Sequence, residues 1–368
     1  MPTVSGGNIH AVRMDNLDIA RLLNGTTLQM SSSSLVIDIG GGYVEYFTGQ
    51  NVTYDFSGFP VSGTITSIEE RLFGSTTFLV TGMNTSVSQF ASWARAHDTN
   101  GALEGIFAGD DVMLGSPNGD VLAAFGGNNN MFGGAGADTL IGGFGNDHIY
   151  GQSPNGGSDG ADYINGYTGS DYIQGNAGND TLDGGDGSDR INGGADNDSI
   201  IGGTGNDTVN GNLGNDTISG GGDNDSLRGG QGNDSINGDA GNDIVQGDLG
   251  ADTLTGGTGS DIFLFSGQAS TSVAPDRITD FVSGTDHLSL GFSPAAMLTG
   301  TIQTSLTAAA SAAQSLFDGH AGDHEVAALA VGSDTYIFYS STGGATADSA
   351  VLLVGVSASS LGVSDFIL

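Results

Sequence analysis

From Gly157 to Leu264 the chain repeats one nine-residue frame without a gap, Gly-Gly-x-Gly-x-Asp-x-U-x with U apolar, twelve times in 108 residues. Six extra residues, Gly151 to Gly156, interrupt the frame, and five looser units carry it back to Ile106. The eighth position reads Met113, Leu122, Met131, Leu140, Ile149, Ile164, Ile173, Leu182, Ile191, Ile200, Val209, Ile218, Leu227, Ile236, Val245, Leu254 and Phe263, all apolar. The sixth is Asp throughout these units except at Asn129. So short a period excludes an ordinary globular core and predicts stacked turns, each in contact only with its neighbours.

Each residue type in the frame has a physical task. Glycines at positions 1, 2 and 4 allow positive backbone angles and the close approach of successive corners. Position 8 belongs to a short strand with one inward side chain. Two units then make a coil of eighteen residues, and the position-6 aspartates are expected to project from the corners in columns, one strand spacing of about 4.8 Å apart. Like charges at that distance repel by about 1 kcal/mol even in water. Two buried side chains per coil also make a thin core for so much ordered, glycine-rich backbone. A hard dication taking carboxylate and carbonyl oxygens would bridge the corners, and calcium fits that ligand set better than magnesium or zinc.

Charge supports the same reading. The formal net charge is -35, and all seven basic residues are Arg. Between Gly157 and Leu264 nineteen Asp and two Arg give -17, which about ten calcium ions in the gaps along two edges would nearly neutralise. Nucleic acid and anionic membranes are therefore poor partners, and no nucleic acid is expected. Without cysteine there is no disulfide or thiolate site. No apolar run is long enough to span a bilayer, and the start, Met1 to His10, lacks the basic and apolar parts of a secretory signal.

The nonapeptide resembles the calcium-binding repeat of the RTX, or hemolysin-type, proteins from Ile106 to Leu264. That resemblance implies a mainly β fold, a right-handed parallel β-roll, with each calcium held between units n and n+2 by position-6 carboxylates and carbonyls of the glycine corner. Here the carboxylates are Asp138, Asp147, Asp162, Asp171, Asp180, Asp189, Asp198, Asp207, Asp216, Asp225, Asp234, Asp243, Asp252 and Asp261. The corner glycines are Gly133, Gly142, Gly157, Gly166, Gly175, Gly184, Gly193, Gly202, Gly211, Gly220, Gly229, Gly238 and Gly247. Ala124-Phe125 and Asn129 depart from the pattern, so the sites around them are expected to be weak or missing. Asp196 and Asp223 replace the fourth-position glycine and predict bent, not broken, corners.

Phe263 to Phe265, Asp276 to Phe281 and Gly284 to Leu290 resemble the segment that closes the roll in serralysin-type proteins. Asp365-Phe-Ile-Leu368 resembles the end of type I secretion substrates. This implies export in an unfolded state and folding outside the cell, where calcium is plentiful.

Three regions follow: a β-rich domain at 1–105, the roll at 106–264, and a capping and secretion-signal domain at 265–368. In the first, Ser34 to Ile39, Tyr43 to Phe47 and Thr77 to Val80 read as strands. Asn51 to Phe56 and Gly63 to Ile68 resemble β-domains that precede the roll in other secreted RTX proteins. Asn84 reads as the cap of a helix through Ser88 to Arg95. In the last region Ser305 to Phe317 reads as a helix, followed by strands at Val326 to Val331, Thr335 to Tyr339 and Ala350 to Val356. Both flanks are expected to be mixed β/α caps for the ends of the stack.

No His-Glu-x-x-His zinc motif is present. His320 and His324 have helical metal-ligand spacing, but the intervening glycine favours a loop and surface histidines. Gly156 to Gly160 matches Gly-x-Ser-x-Gly by chance inside the array, without a strand-to-helix context. Glu69-Glu70 reads as a solvated turn or edge, and Trp93 as a buried cap residue. The sequence thus points to a non-enzymatic, secreted calcium protein, free or associated with the cell surface, a homo-polymer or the partner of a cell surface, handled by type I secretion machinery. An adhesin, or the accessory of an exoenzyme, is the alternative.

Overall fold

The computed structural model describes residues 109–115, 117–152, 159–265, 274–319, 324–340 and 347–368 with their side chains, and the backbone of six strands within residues 1–108. The chain divides into two compact units, Met1–Leu182 and Asp183–Leu368. Among the described residues no helix is long and apolar enough to cross a membrane.

In the first unit an antiparallel sheet runs in the order Thr26–Met30, Ser34–Gly40, Tyr43–Tyr54, Pro60–Leu72, Ser75–Ser86 and Thr3–Gly6. Thr3–Gly6 then pairs in parallel with Val112–Leu114, which joins this sheet to the first rung of the repeat ladder. Glu69 and Glu70 therefore lie in a strand paired on both sides, not at the turn or edge expected from the sequence. The expected helix after Asn84 and Trp93 lie outside the described residues.

The repeats form two parallel ladders. Val112–Leu114, Asn130–Gly134, His148–Gln152 and Tyr172–Ala177 make one, and Val121–Ala123, Thr139–Phe144 and Tyr163–Thr168 the other. In the second unit, Arg190–Ala195, Thr208–Leu213, Ser226–Gln231, Ile244–Leu249, Ile262–Leu264, His287–Ser289 and Phe366–Ile367 stack in order. Opposite them run Ser199–Thr204, Thr217–Gly222, Ser235–Ala240, Thr253–Thr255, Asp276–Ile278 and Ser349–Leu353. Partners such as Ile191 and Val209 or Ile200 and Ile218 lie eighteen residues apart, two repeats per coil. All seventeen position-8 side chains are 0–1% exposed. This is a parallel β-roll.

Beyond the roll, Ser349–Leu353 pairs antiparallel with Asp334–Tyr339, which pairs with Glu325–Val331. Helix α1, Leu306–Gly319, packs Ala309, Ala313 and Phe317 against Ala327, Leu329, Phe338 and Ala350. The i, i+4 spacing puts those three on one face. Ser305 starts the helix, its Oγ accepting the Ala308 N–H at 3.2 Å.

Candidate metal centre

The corner glycines divide their labour. Positions 2 and 4 take positive φ, as at Gly203 (116°) and Gly205 (111°). Where another residue stands there, the angle persists: Asp196 and Asp223 have φ of 77° and 72°, so these corners keep their shape. Position 1 has ordinary angles and is glycine for want of space. A methyl on Gly202 would come within 2.6 Å of Asp207 Oδ2 and 2.5 Å of the Gly220 carbonyl oxygen. The same pair of oxygens, the unit's own carboxylate and a carbonyl two units on, faces Gly142, Gly184, Gly193, Gly211, Gly220 and Gly238.

The aspartates do not project from the corners. All fourteen expected ligands are 0–3% exposed. The reason is a hydrogen bond the sequence frame does not reveal: in twelve of the fourteen, Oδ1 accepts the backbone N–H of the position-6 residue two units earlier, drawing the carboxylate inward. In the first unit these chains run through Asp120, Asp138, Asp162 and Asp180, and through Asn129, Asp147 and Asp171. In the second they link Asp189, Asp207, Asp225, Asp243 and Asp261, and Asp198, Asp216, Asp234 and Asp252.

Oδ2 is the other half of the site. In Asp138, Asp147, Asp162, Asp207, Asp216, Asp225, Asp234, Asp243, Asp252 and Asp261 it is buried without a hydrogen-bond partner. Burial raises the pKa values accordingly, against the opposing pull of the backbone N–H: Asp162 to about 8, Asp138, Asp207, Asp225 and Asp234 to about 7, and Asp147, Asp171 and Asp243 to about 6. Neighbouring carboxylates add to the rise at Asp162, Asp207 and Asp225. An unpartnered anionic oxygen facing a carbonyl oxygen, in a cradle that a methyl would fill, fits a hard cation and little else. Among the described residues no three acidic or imidazole side chains gather at one point; what faces the first-position glycines is a carboxylate oxygen beside a backbone carbonyl oxygen.

Some positions differ from the sequence frame. The extra residues follow Gln152, which pairs with Gly134, so Gly151 takes the first position beside Asp162. Gly157 lies outside the described residues, as do His320 and most of the Gly-x-Ser-x-Gly match. His324 packs on Phe292 at 5.1 Å between ring centres. The columns also continue past the repeats, which the sequence reading missed. Asp276 accepts the Asp252 N–H at 3.0 Å and Asp286 the Asp261 N–H at 3.2 Å. Asp280 receives the Gly256 and Gly257 N–H groups at 3.0 and 2.8 Å. The available signal was an Asp before each short apolar strand, hidden by offsets of 24 and 25 residues.

The family model of the RTX calcium-binding nonapeptide repeat (4 copies) matches residues 123–153, 156–191, 183–218, 192–227, 219–254 and 228–263. Among solved structures the chain is similar to the solution structure of the AlgE6R3 subunit from the Azotobacter vinelandii mannuronan C5-epimerase. The two share 26% identity over 42% of this chain and 77% of that one, with a TM-score of 0.30. No curated protein matches. From residue 123 to residue 263 the chain therefore carries RTX calcium-binding nonapeptide repeats, folded as a parallel β-roll.

Proposed function

We propose that this protein acts outside the cell as a calcium-assembled structural protein, the subunit of a surface layer, matrix or filament. One observation carries the reading: Oδ2 atoms of successive corner aspartates, Asp207 and Asp225 among them, are buried without a partner, which supports a fold that forms only with a cation. A chain with this dependence is unfolded where calcium is scarce, which suits passage through type I secretion machinery, and folds where calcium is near millimolar. The position-6 aspartates and first-position corner carbonyls are the ligands, for about ten ions. Residues 1–105 and 265–368 cap the roll at 106–264, and contact between such flanks would carry one chain to the next.

The test is a calcium titration of the full chain, followed by circular dichroism, light scattering and electron microscopy. Calcium-induced strand signal with growth into ordered polymers supports the structural role. A folded, strictly monomeric protein at every calcium level removes it and favours an adhesin or an enzyme accessory.

A further inference from the structure

The rung of Asn129 departs from the others at two positions at once. Asn129 is 1% exposed. Its Oδ1 accepts the Asp111 N–H at 2.9 Å, as an aspartate Oδ1 does elsewhere in the column. That bond fixes which way the amide faces, so Nδ2 stands where rungs such as those of Asp147, Asp207 and Asp225 carry an unpartnered Oδ2. Nδ2 donates to Asp147 Oδ1 at 2.8 Å, to the Gly142 carbonyl at 3.2 Å and to the Gly127 carbonyl at 3.3 Å. The Gly142 oxygen lies two units on, the counterpart of the Gly220 oxygen facing Asp207.

The second departure is Ala124. Ala123 pairs with Ile141, so Ala124 stands level with Gly142, at the first corner position. It is buried, and its methyl falls where the other corners keep the cradle open. Asn for Asp removes the anionic oxygen, and Ala for Gly removes the room. Each change alone would weaken a cation site; together they replace it with a neutral, hydrogen-bonded plug.

We infer that the Asn129 amide takes the cation's place, making this rung a metal-independent step in an otherwise calcium-dependent roll. The inference rests on the reading of the other rungs as calcium sites. Asp147 keeps an unpartnered Oδ2, and Gly142 keeps its open cradle, so the next rung retains its cation site. The change is confined to one step, and it supplies an edge on which calcium-loaded coils can add, sparing part of the cost of starting the stack.

Native mass spectrometry at saturating calcium tests this, comparing the natural protein with the double variant Ala124→Gly/Asn129→Asp. The variant is expected to hold one more calcium per chain. Equal, non-zero counts in two folded proteins overturn the inference and leave the calcium reading intact; no calcium in either overturns both. Hydrogen exchange of the natural protein decides independently of the variant's folding. As calcium is withdrawn, the Asp111, Asn129 and His148 amides should stay protected at levels where the Thr208, Ser226 and Ser235 amides have opened. Simultaneous or earlier opening at Asn129 overturns the inference.

Discussion

Asp225 Oδ1 accepts the backbone N–H of Asp207 at 2.8 Å, while Oδ2 of the same carboxylate is buried without a partner. One side chain thus serves both the fold and the cation site, with a different oxygen for each. Asp225→Ala strips away both and leaves the Asp207 N–H buried and unbonded. The expected cost is about 1–3 kcal/mol in the calcium-loaded state, measured by urea unfolding. Asp225→Asn keeps the acceptor, so it should cost less in urea while lowering the calcium count by one.

The position-1 glycines make a sharper test of space, since their backbone angles are ordinary. Gly202→Ala drives a methyl against Asp207 Oδ2 and the Gly220 carbonyl oxygen, whereas Gly222→Ala meets nothing within 4 Å. The first should destabilise the loaded roll by about 1–3 kcal/mol and weaken calcium binding. The second should change stability by less than about 0.5 kcal/mol. Isothermal titration with calcium and thermal melts of both variants check the pair.

Acid should partly replace calcium. Burial raises Asp162 to about 8 and Asp207, Asp225 and Asp234 to about 7, from 3.8. The folded chain therefore holds protons more tightly than the unfolded one. Stability from these groups is fully present below about pH 4 and lost as pH rises through about 6 to 8. In chelator, the strand signal in circular dichroism should be stronger at pH 5 than at pH 8. With calcium the dependence reverses, because protons and calcium compete for the same carboxylates. The calcium midpoint should fall as pH rises from 5.5 to 7.5.

The period made the stacked coil, its apolar column and the aspartate positions legible, because each depends on residue type at a fixed offset, while the parallel β-roll was what the resemblance implied. The direction of the aspartates was not legible: the Asp225 carboxylate turns inward on account of the Asp207 N–H, eighteen residues away. That the aspartate columns run on into the closing segment was hidden for a related reason. Asp276 and Asp286 occupy column positions at offsets of 24 and 25 residues, where the frame has already been lost. Asn129 read as a weakened site because sequence shows a missing charge and not the three acceptors its amide reaches.

The last rung yields a prediction of its own. Asp365 is 1% exposed and accepts the Gly284 N–H at 2.8 Å through Oδ1, and the Ser283 hydroxyl and Gly362 N–H at 2.9 Å through Oδ2. Next to it, Phe366 and Ile367 pair with Leu288 and Ser289. The residues that resemble an export signal are thus built into the end of the folded ladder, held there by one carboxylate with three donors. Asp365→Ala removes all three bonds and leaves two backbone N–H groups without their acceptor, at an expected cost of about 2–4 kcal/mol. Hydrogen exchange should show the loss at residues 283–290 and 362–367, with protection around Asp207 and Asp225 retained at saturating calcium. Asp365→Asn separates geometry from charge: a neutral carboxamide offers one accepting oxygen in place of two, so an intermediate effect identifies the carboxylate's second oxygen as the clasp.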